Sequence, residues 1–257
     1  MRTPSVTSQV VALTRAQLDR PHSADGDPSA QRALCEGMRI SPPKWLEQSI
    51  AARTRFVDAQ VMRAIADGTR QVVICGAGYD DRALRFRTAG VHFIELDHPA
   101  TQADKARRLG EMGAAAIDVT LAAADFRADD IGAVLERAGH DASEATLFVA
   151  EGLLVYLERR VCELLIAALA LRAAPGSVLV ASLATHAHDH DSAEVVITAN
   201  ERRRAGAAEP WLTILPAADH LALLTKAGWQ VTTTEWVPPA ATDVSHGRRS
   251  LLAAARM

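Results

Sequence analysis

Hydrophobic positions change their spacing along this chain, and the changes mark its elements. Over residues 6–18, Val10, Val11, Leu13 and Leu18 are separated by polar residues, the pattern of an amphipathic helix that gives way at Arg20-Pro21-His22. Residues 22–30 are turn chemistry, residues 30–38 predict a short helix, and Ser41-Pro42-Pro43 breaks it before a helical segment over 44–67. The opening part of the chain is therefore helical.

At Gln71 the period shortens. Val72-Val73-Ile74-Cys75 is a continuous apolar run closed by Gly76-Ala77-Gly78, which suits a strand buried on both faces. Further strands are predicted over 91–96, 115–117, 146–150 and 177–183, with helical patterns over 100–110 and 158–173 among them. This alternation predicts βαβ units and a mostly parallel sheet covered on both faces. Residues 185–215 are too polar for a core strand and read as a substrate lid. The tail predicts a helix over 219–227 stopped by Gly228, then strands over 229–236 and 250–255 that form an antiparallel edge. The expected fold is α/β and Rossmann-like, with a seven-stranded sheet. A helical cap over 1–52 precedes a main domain over 53–257.

Composition adds mainly exclusions. A chain of 257 residues with 49% hydrophobic and 23% charged residues suits one large domain and excludes disorder of the bulk. Net charge is −3, so no basic excess is available to track phosphates, and nucleic acid is excluded as a partner. Cys35, Cys75 and Cys162 are odd in number and share no short metal spacing, which argues for a reducing compartment. The N-terminus lacks the apolar core of a signal peptide, and no stretch approaches the roughly 20 apolar residues that span a bilayer. A cytoplasmic protein without a membrane partner is the expectation.

The glycines of VVICGAGYDDR stand where a buried strand turns into a helix, so backbone there can approach a ligand closely; a plain tight turn is the competing reading. The third glycine of a dinucleotide fingerprint would fall at position 81, where this chain has Asp81, an acid that repels pyrophosphate. Asp97 follows Gly78 by nineteen positions, a spacing suited to ribose hydroxyls. Ribose without pyrophosphate points to an adenosyl sulfonium.

These residues, with others, resemble the S-adenosylmethionine-dependent methyltransferases of the leucine carboxyl methyltransferase family, including bacterial polyketide carboxyl methyltransferases. The resemblance rests on RTRFVD at 53–58, VVICGAGYDDRALRF at 72–86, ELDHPATQADK at 95–105, AIDV at 116–119 and VAEGLLVYL at 149–157. With the looser TSQVVALTRA near the start, it covers roughly residues 6–235. It implies S-adenosyl-L-methionine as cofactor and no metal. It further implies that Arg53 and Arg55 hold the cofactor's carboxylate and that Gly76, Ala77 and Gly78 line it. Asp97, with Glu95 second, would take its ribose, and Asp118 and Val119 its adenine. Glu151 is implied as an active-site carboxylate near the cofactor amine, with Tyr156 beside the substrate. For Arg55 the competing reading is a solvated helix face, for Asp118 a helix N-cap, and for Glu151 a carboxylate complementing a helix dipole.

Methyl transfer is an in-line displacement, and an acceptor carboxylate is already ionised near neutral pH, so it needs no general base. A hydroxyl or amine acceptor would want one. His186, His188 and His190 alternate with Asp189 and Asp191 in the polar segment and are the candidates for that role or for metal binding; a solvated lid is the bland alternative. The arginines at 202–204 could supply a cationic pocket instead. The favoured function is O-methylation of a carboxylate on a small, natural-product-like acid, with homodimerisation left open. The rivals are a hydroxyl- or amine-directed methyltransferase, a nicotinamide-dependent oxidoreductase and a non-catalytic binding module.

Overall fold

The computed structural model describes residues 4–113, 119–186, 209–237 and 248–257. Three helices open the chain: α1 (Val6–Arg15), α2 (Ala30–Leu34) and α3 (Lys44–Ala66). The boundary expected between residues 52 and 53 falls inside α3, which runs unbroken from the cap onto the sheet. There follow β1 (Gln71–Cys75), α4 (Arg82–Arg85), β2 (His92–Asp97), α5 (Pro99–Glu111), β3 (Val119–Ala123), α6 (Ile131–Arg137) and β4 (Thr146–Ala150). A single 3-10 turn (Leu154–Tyr156) leads to α7 (Arg159–Leu171), β5 (Val178–His186), α8 (Ala217–Lys226), β6 (Gln230–Val237) and β7 (Arg248–Arg256).

Among the described residues the strands form one seven-stranded sheet in the order β3-β2-β1-β4-β5-β7-β6. The pairings from β3 through β5 are parallel, and β7 inserts antiparallel between β5 and β6. This is the Rossmann-like α/β fold with an antiparallel edge. Side chains of β1 divide by parity: Val73 and Cys75 join the core under α6, α7 and α8, while Val72 and Ile74 pack against Phe56, Val57 and Val61 of α3.

Three elements differ from expectation. Strand β5 runs on through Thr185 and His186, the start of the expected lid, and pairs them with Arg249 and Arg248. The third strand lies at Val119–Ala123, not over 115–117, which fall outside the described residues; Phe93 pairs with Val119 and Asp97 with Ala123. Helix α6 was not foreseen, although Ile131, Val134 and Leu135 repeat at helical spacing behind Asp130, whose side chain caps Ala133 N–H at 3.1 Å. No helix among the described residues is long and apolar enough to cross a membrane. The three cysteines are free and buried, and burial pushes the Cys75 thiol up to about 12.

Candidate cofactor and acceptor site

Chain order reverses at β1, which has β2 on one side and β4 on the other, so a crevice forms outside their carboxyl ends. The glycine loop follows β1 there. Gly76 and Gly78 adopt φ of +69° and +53°, a region that disfavours any residue with a Cβ. A Cβ on Gly76 would lie 3.0 Å from the Leu153 side chain, and one on Gly78 would lie 2.7 Å from Ser8 Cβ in α1. The missing side chains thus let α1 and the segment after β4 close onto the loop.

Asp97 meets this loop through its carboxylate. Its carboxylate accepts the Gly78 N–H and the His98 N–H, each at 2.7 Å. Burial raises its pKa, against the pull of those two N–H groups. Gly76 and Ala77 donate to the Leu96 carbonyl at 2.8 and 3.0 Å, which seats the loop on the end of β2.

Glu151 follows β4 directly and sits among three guanidinium groups. Arg53 Nε donates to Oε1 at 2.9 Å, and the Nη2 atoms of Arg15 and Arg82 stand 2.7 and 3.0 Å from Oε2. Burial alone would raise this carboxyl, but Arg15, Arg82 and Arg53 together hold it far below the ordinary carboxylate range. Oε2 is thus shared between two guanidinium groups. Asp80 bridges the same arginines, at 3.0 Å from Arg15 and 2.5 Å from Arg82, and its pKa falls to about 2 because the two charges outweigh burial. Arg15, Asp80 and Arg82 were not singled out from sequence. Arg82 and Asp80 lie inside a quoted motif and pair with each other two positions apart, but Arg15, Asp58 and Glu151 reach them from far along the chain and leave no local spacing to read.

Four sequence expectations need correction. Arg55 is exposed, while Arg53 points at Glu151; residues two apart on a helix lie about 200° around its axis, so one edge cannot recruit both. Glu95 is sealed: it is fully buried and paired with Lys105, out of reach of a ribose. Asp81 does not face a ligand and cannot repel pyrophosphate from there, because Arg20 and Arg85 neutralise it at 2.6 and 2.7 Å in the interior. Val119 starts β3 at the edge remote from Asp97, and Asp118 lies outside the described residues and before the strand, not after it. β3 is followed by Ala124, whose N–H donates to the Asp97 carbonyl at 2.8 Å, and then by Asp125 and Phe126, of which Phe126 packs against the core under α6 and α7. The acid-apolar pair was visible in ADFR, but the misplaced strand directed attention to AIDV.

Tyr156 closes the 3-10 turn after Gly152, with Trp211 and Thr7 near its hydroxyl. Burial raises its pKa. Leu212 N–H donates to the Val155 carbonyl at 2.7 Å, and Thr7 N–H to Glu209 at 3.1 Å, so the 209–213 strip is tied both to the turn and to α1. His188, His190 and residues 202–204 lie outside the described residues. Among the described residues no three His, Cys, Asp or Glu side chains group as a metal site.

The model of the leucine carboxyl methyltransferase family matches residues 8–170. A Frankia alni protein, assigned by its name to the S-adenosyl-L-methionine-dependent methyltransferases, is 35% identical over 245 residues, covering 88% of this chain and 82% of its own length. A Streptomyces coelicolor protein of the same designation is 36% identical over 71% of this chain, and the match spans 62% of that longer relative. A Thermobifida fusca structure named as a methyltransferase superposes with a TM-score of 0.62 at 17% identity, covering 99% of this chain and 95% of the other, which speaks for the fold. The crevice, its loop and these matches lead to one conclusion: the chain belongs to the leucine carboxyl methyltransferase family and is an S-adenosyl-L-methionine-dependent methyltransferase.

Proposed function

We propose that this enzyme methylates a carboxylate oxygen of a small, natural-product-like acid, giving a methyl ester. One observation carries the reading: Glu151, the acid at the reaction edge, is locked in its ionised form by three arginines and is too weak a base to take a proton from an acceptor. Burial makes the Tyr156 hydroxyl a poorer acid than usual, so it stays protonated and offers no base. A carboxylate acceptor, with a reference pKa of about 4, needs no base.

When bound, S-adenosyl-L-methionine supplies an electrophilic sulfonium methyl. The residues present fit this group. Gly76, Ala77 and Gly78 offer bare backbone at the crevice, and Asp97 stands beside them for the ribose hydroxyls. Asp125 replaces Asp118 as the residue for the adenine edge, with Phe126 next to it. Arg53 uses Nε on Glu151 and keeps its terminal nitrogens for the cofactor carboxylate, lying near Gly152. Glu151, just after β4 at the same edge, is the carboxylate for the cofactor ammonium. Thr7 and Ser8 of α1 cover the loop and the Tyr156 side, which excludes water from the transfer.

The test is the chemical nature of the product. Candidate acids incubated with enzyme and methyl-labelled cofactor should yield a product that releases labelled methanol in mild alkali, at a rate flat between about pH 6 and 8. An alkali-stable methyl group, with a rate that rises through the imidazole range and collapses in His188→Ala, would establish a hydroxyl or amine acceptor instead.

A further inference from the structure

We infer that Lys105 is a positioning residue for the cofactor loop, holding the Asp80 main chain from below with Glu95 as its counter-ion. The inference rests on the glycine loop being the cofactor site. Lys105 lies on α5 and is almost completely buried; its ammonium donates to the Asp80 carbonyl at 2.7 Å and to the Glu95 carboxylate. Glu95 precedes Asp97 by one side-chain period on β2, so both carboxylates project from the same face of the sheet.

A buried ammonium costs desolvation, and it is tolerable where its donors meet well-placed acceptors. Here those acceptors belong to two elements of the cofactor edge, the loop after β1 and strand β2. Asp80 is engaged at both ends: its carbonyl rests on Lys105, while its carboxylate spaces Arg15 and Arg82, which in turn approach Glu151. The same residue follows Gly78 by two positions, and Gly78 N–H is fixed to Asp97. Lys105 therefore determines where the loop stops and how the arginines around Glu151 are spread. An apolar side chain would fill its volume and leave the Asp80 carbonyl without this donor.

Removing Lys105 alone strands a buried carboxylate, so the test uses paired changes in the full chain. Binding of S-adenosylhomocysteine is measured by titration calorimetry, and stability by thermal unfolding, for wild type, Lys105→Met, Glu95→Leu/Lys105→Met and Glu95→Leu/Lys105→Gln. Lys105→Met should lose stability and bind at least tenfold more weakly. The Leu/Met pair should recover stability yet remain at least tenfold weaker, with KM for the cofactor raised and kcat little changed. The Leu/Gln pair, which restores an N–H donor, should bind more tightly than the Leu/Met pair. Wild-type affinity in the Leu/Met pair would show that Lys105 merely balances Glu95, and equal affinity in the two pairs would remove the donor role; either overturns the inference. Failure of the wild type to bind would instead refute the assignment of the cofactor.

Discussion

On one face of the sheet, α6, α7 and α8 close over Phe148, Leu165, Leu169 and Trp229 through apolar contact. On the other, α1, α3, α4 and α5 are joined by buried charges: Arg20 and Arg82 share Asp58, Arg15 and Arg82 share Asp80 and Glu151, Arg85 pairs with Asp81, and Lys105 with Glu95. Apolar packing is non-directional and tolerates volume-conserving change. Buried ion pairs gain little net stability against a hydrophobic replacement, but breaking one by removing a single partner is severe. The charged face is the one that carries the glycine loop, Asp97 and Glu151, where side-chain direction matters more than burial.

The largest effect should come from cutting the charged face at its hub. Arg82→Met leaves Asp58, Asp80 and Glu151 short of a partner and should cost about 3–5 kcal/mol in denaturant unfolding, with loss of S-adenosylhomocysteine binding. Retained binding would erase the proposed link between this network and the site. Trp229→Phe on the apolar face removes the indole N–H bond to Ile166 at 3.3 Å and part of a packed ring. It should cost about 2 kcal/mol and leave cofactor affinity unaltered. A parallel loss of affinity would mean that the two faces are coupled.

The charged face should also respond to pH, through two carboxyls of opposite sign. Burial pushes Glu95 up to about 7 although Lys105 pulls it down. A carboxyl raised on folding contributes stability that is complete below its unfolded pKa and is lost as pH rises through the folded one. Wild-type stability should therefore fall from this group between about pH 5 and 8, by at most about 1.4 kcal/mol per pH unit, and Glu95→Gln should remove that slope. Asp80 has the opposite sign. Its pKa is depressed to about 2, so its contribution is present above about 4 and disappears as pH falls toward 2, and unfolding by acid in Asp80→Asn should lack that component.

The smallest effect is expected from Arg55→Ala, which should change stability by less than about 0.5 kcal/mol and leave affinity intact, since the side chain is exposed. Arg53→Ala, two residues earlier on the same helix, should weaken S-adenosylhomocysteine binding about tenfold or more. Equal effects of the two would return Arg53 to the surface.

Local sequence carried what depends on local physics. The apolar runs of β1 and β4, the alternation that requires a parallel sheet, the loop of Gly76 and Gly78, and the offset to Asp97 all lie within single βαβ units, where hydrophobic period and glycine conformation leave a direct mark. The third strand was misplaced because alanine-rich residues near 115 and the sequence VTLAA at 119–123 carry similar weak signals. The adenine pair expected from sequence accordingly came from AIDV, and the one proposed above comes from the residues after β3. The arginine cage was decided by tertiary structure alone. Arg15 meets Asp80 across 65 residues and Arg53 meets Glu151 across 98, distances at which spacing carries no information. Asp81 and Glu95 are mixed cases: Arg85 is the i+4 neighbour of Asp81 and Lys105 stands on the helix after β2, but Arg20 reaches Asp81 from 61 positions away, and only the packing turns both carboxylates inward. Which charge faces a ligand and which is neutralised inside depends on the packing of helices onto the sheet, because a buried charge persists only where the fold brings its counter-ion to it.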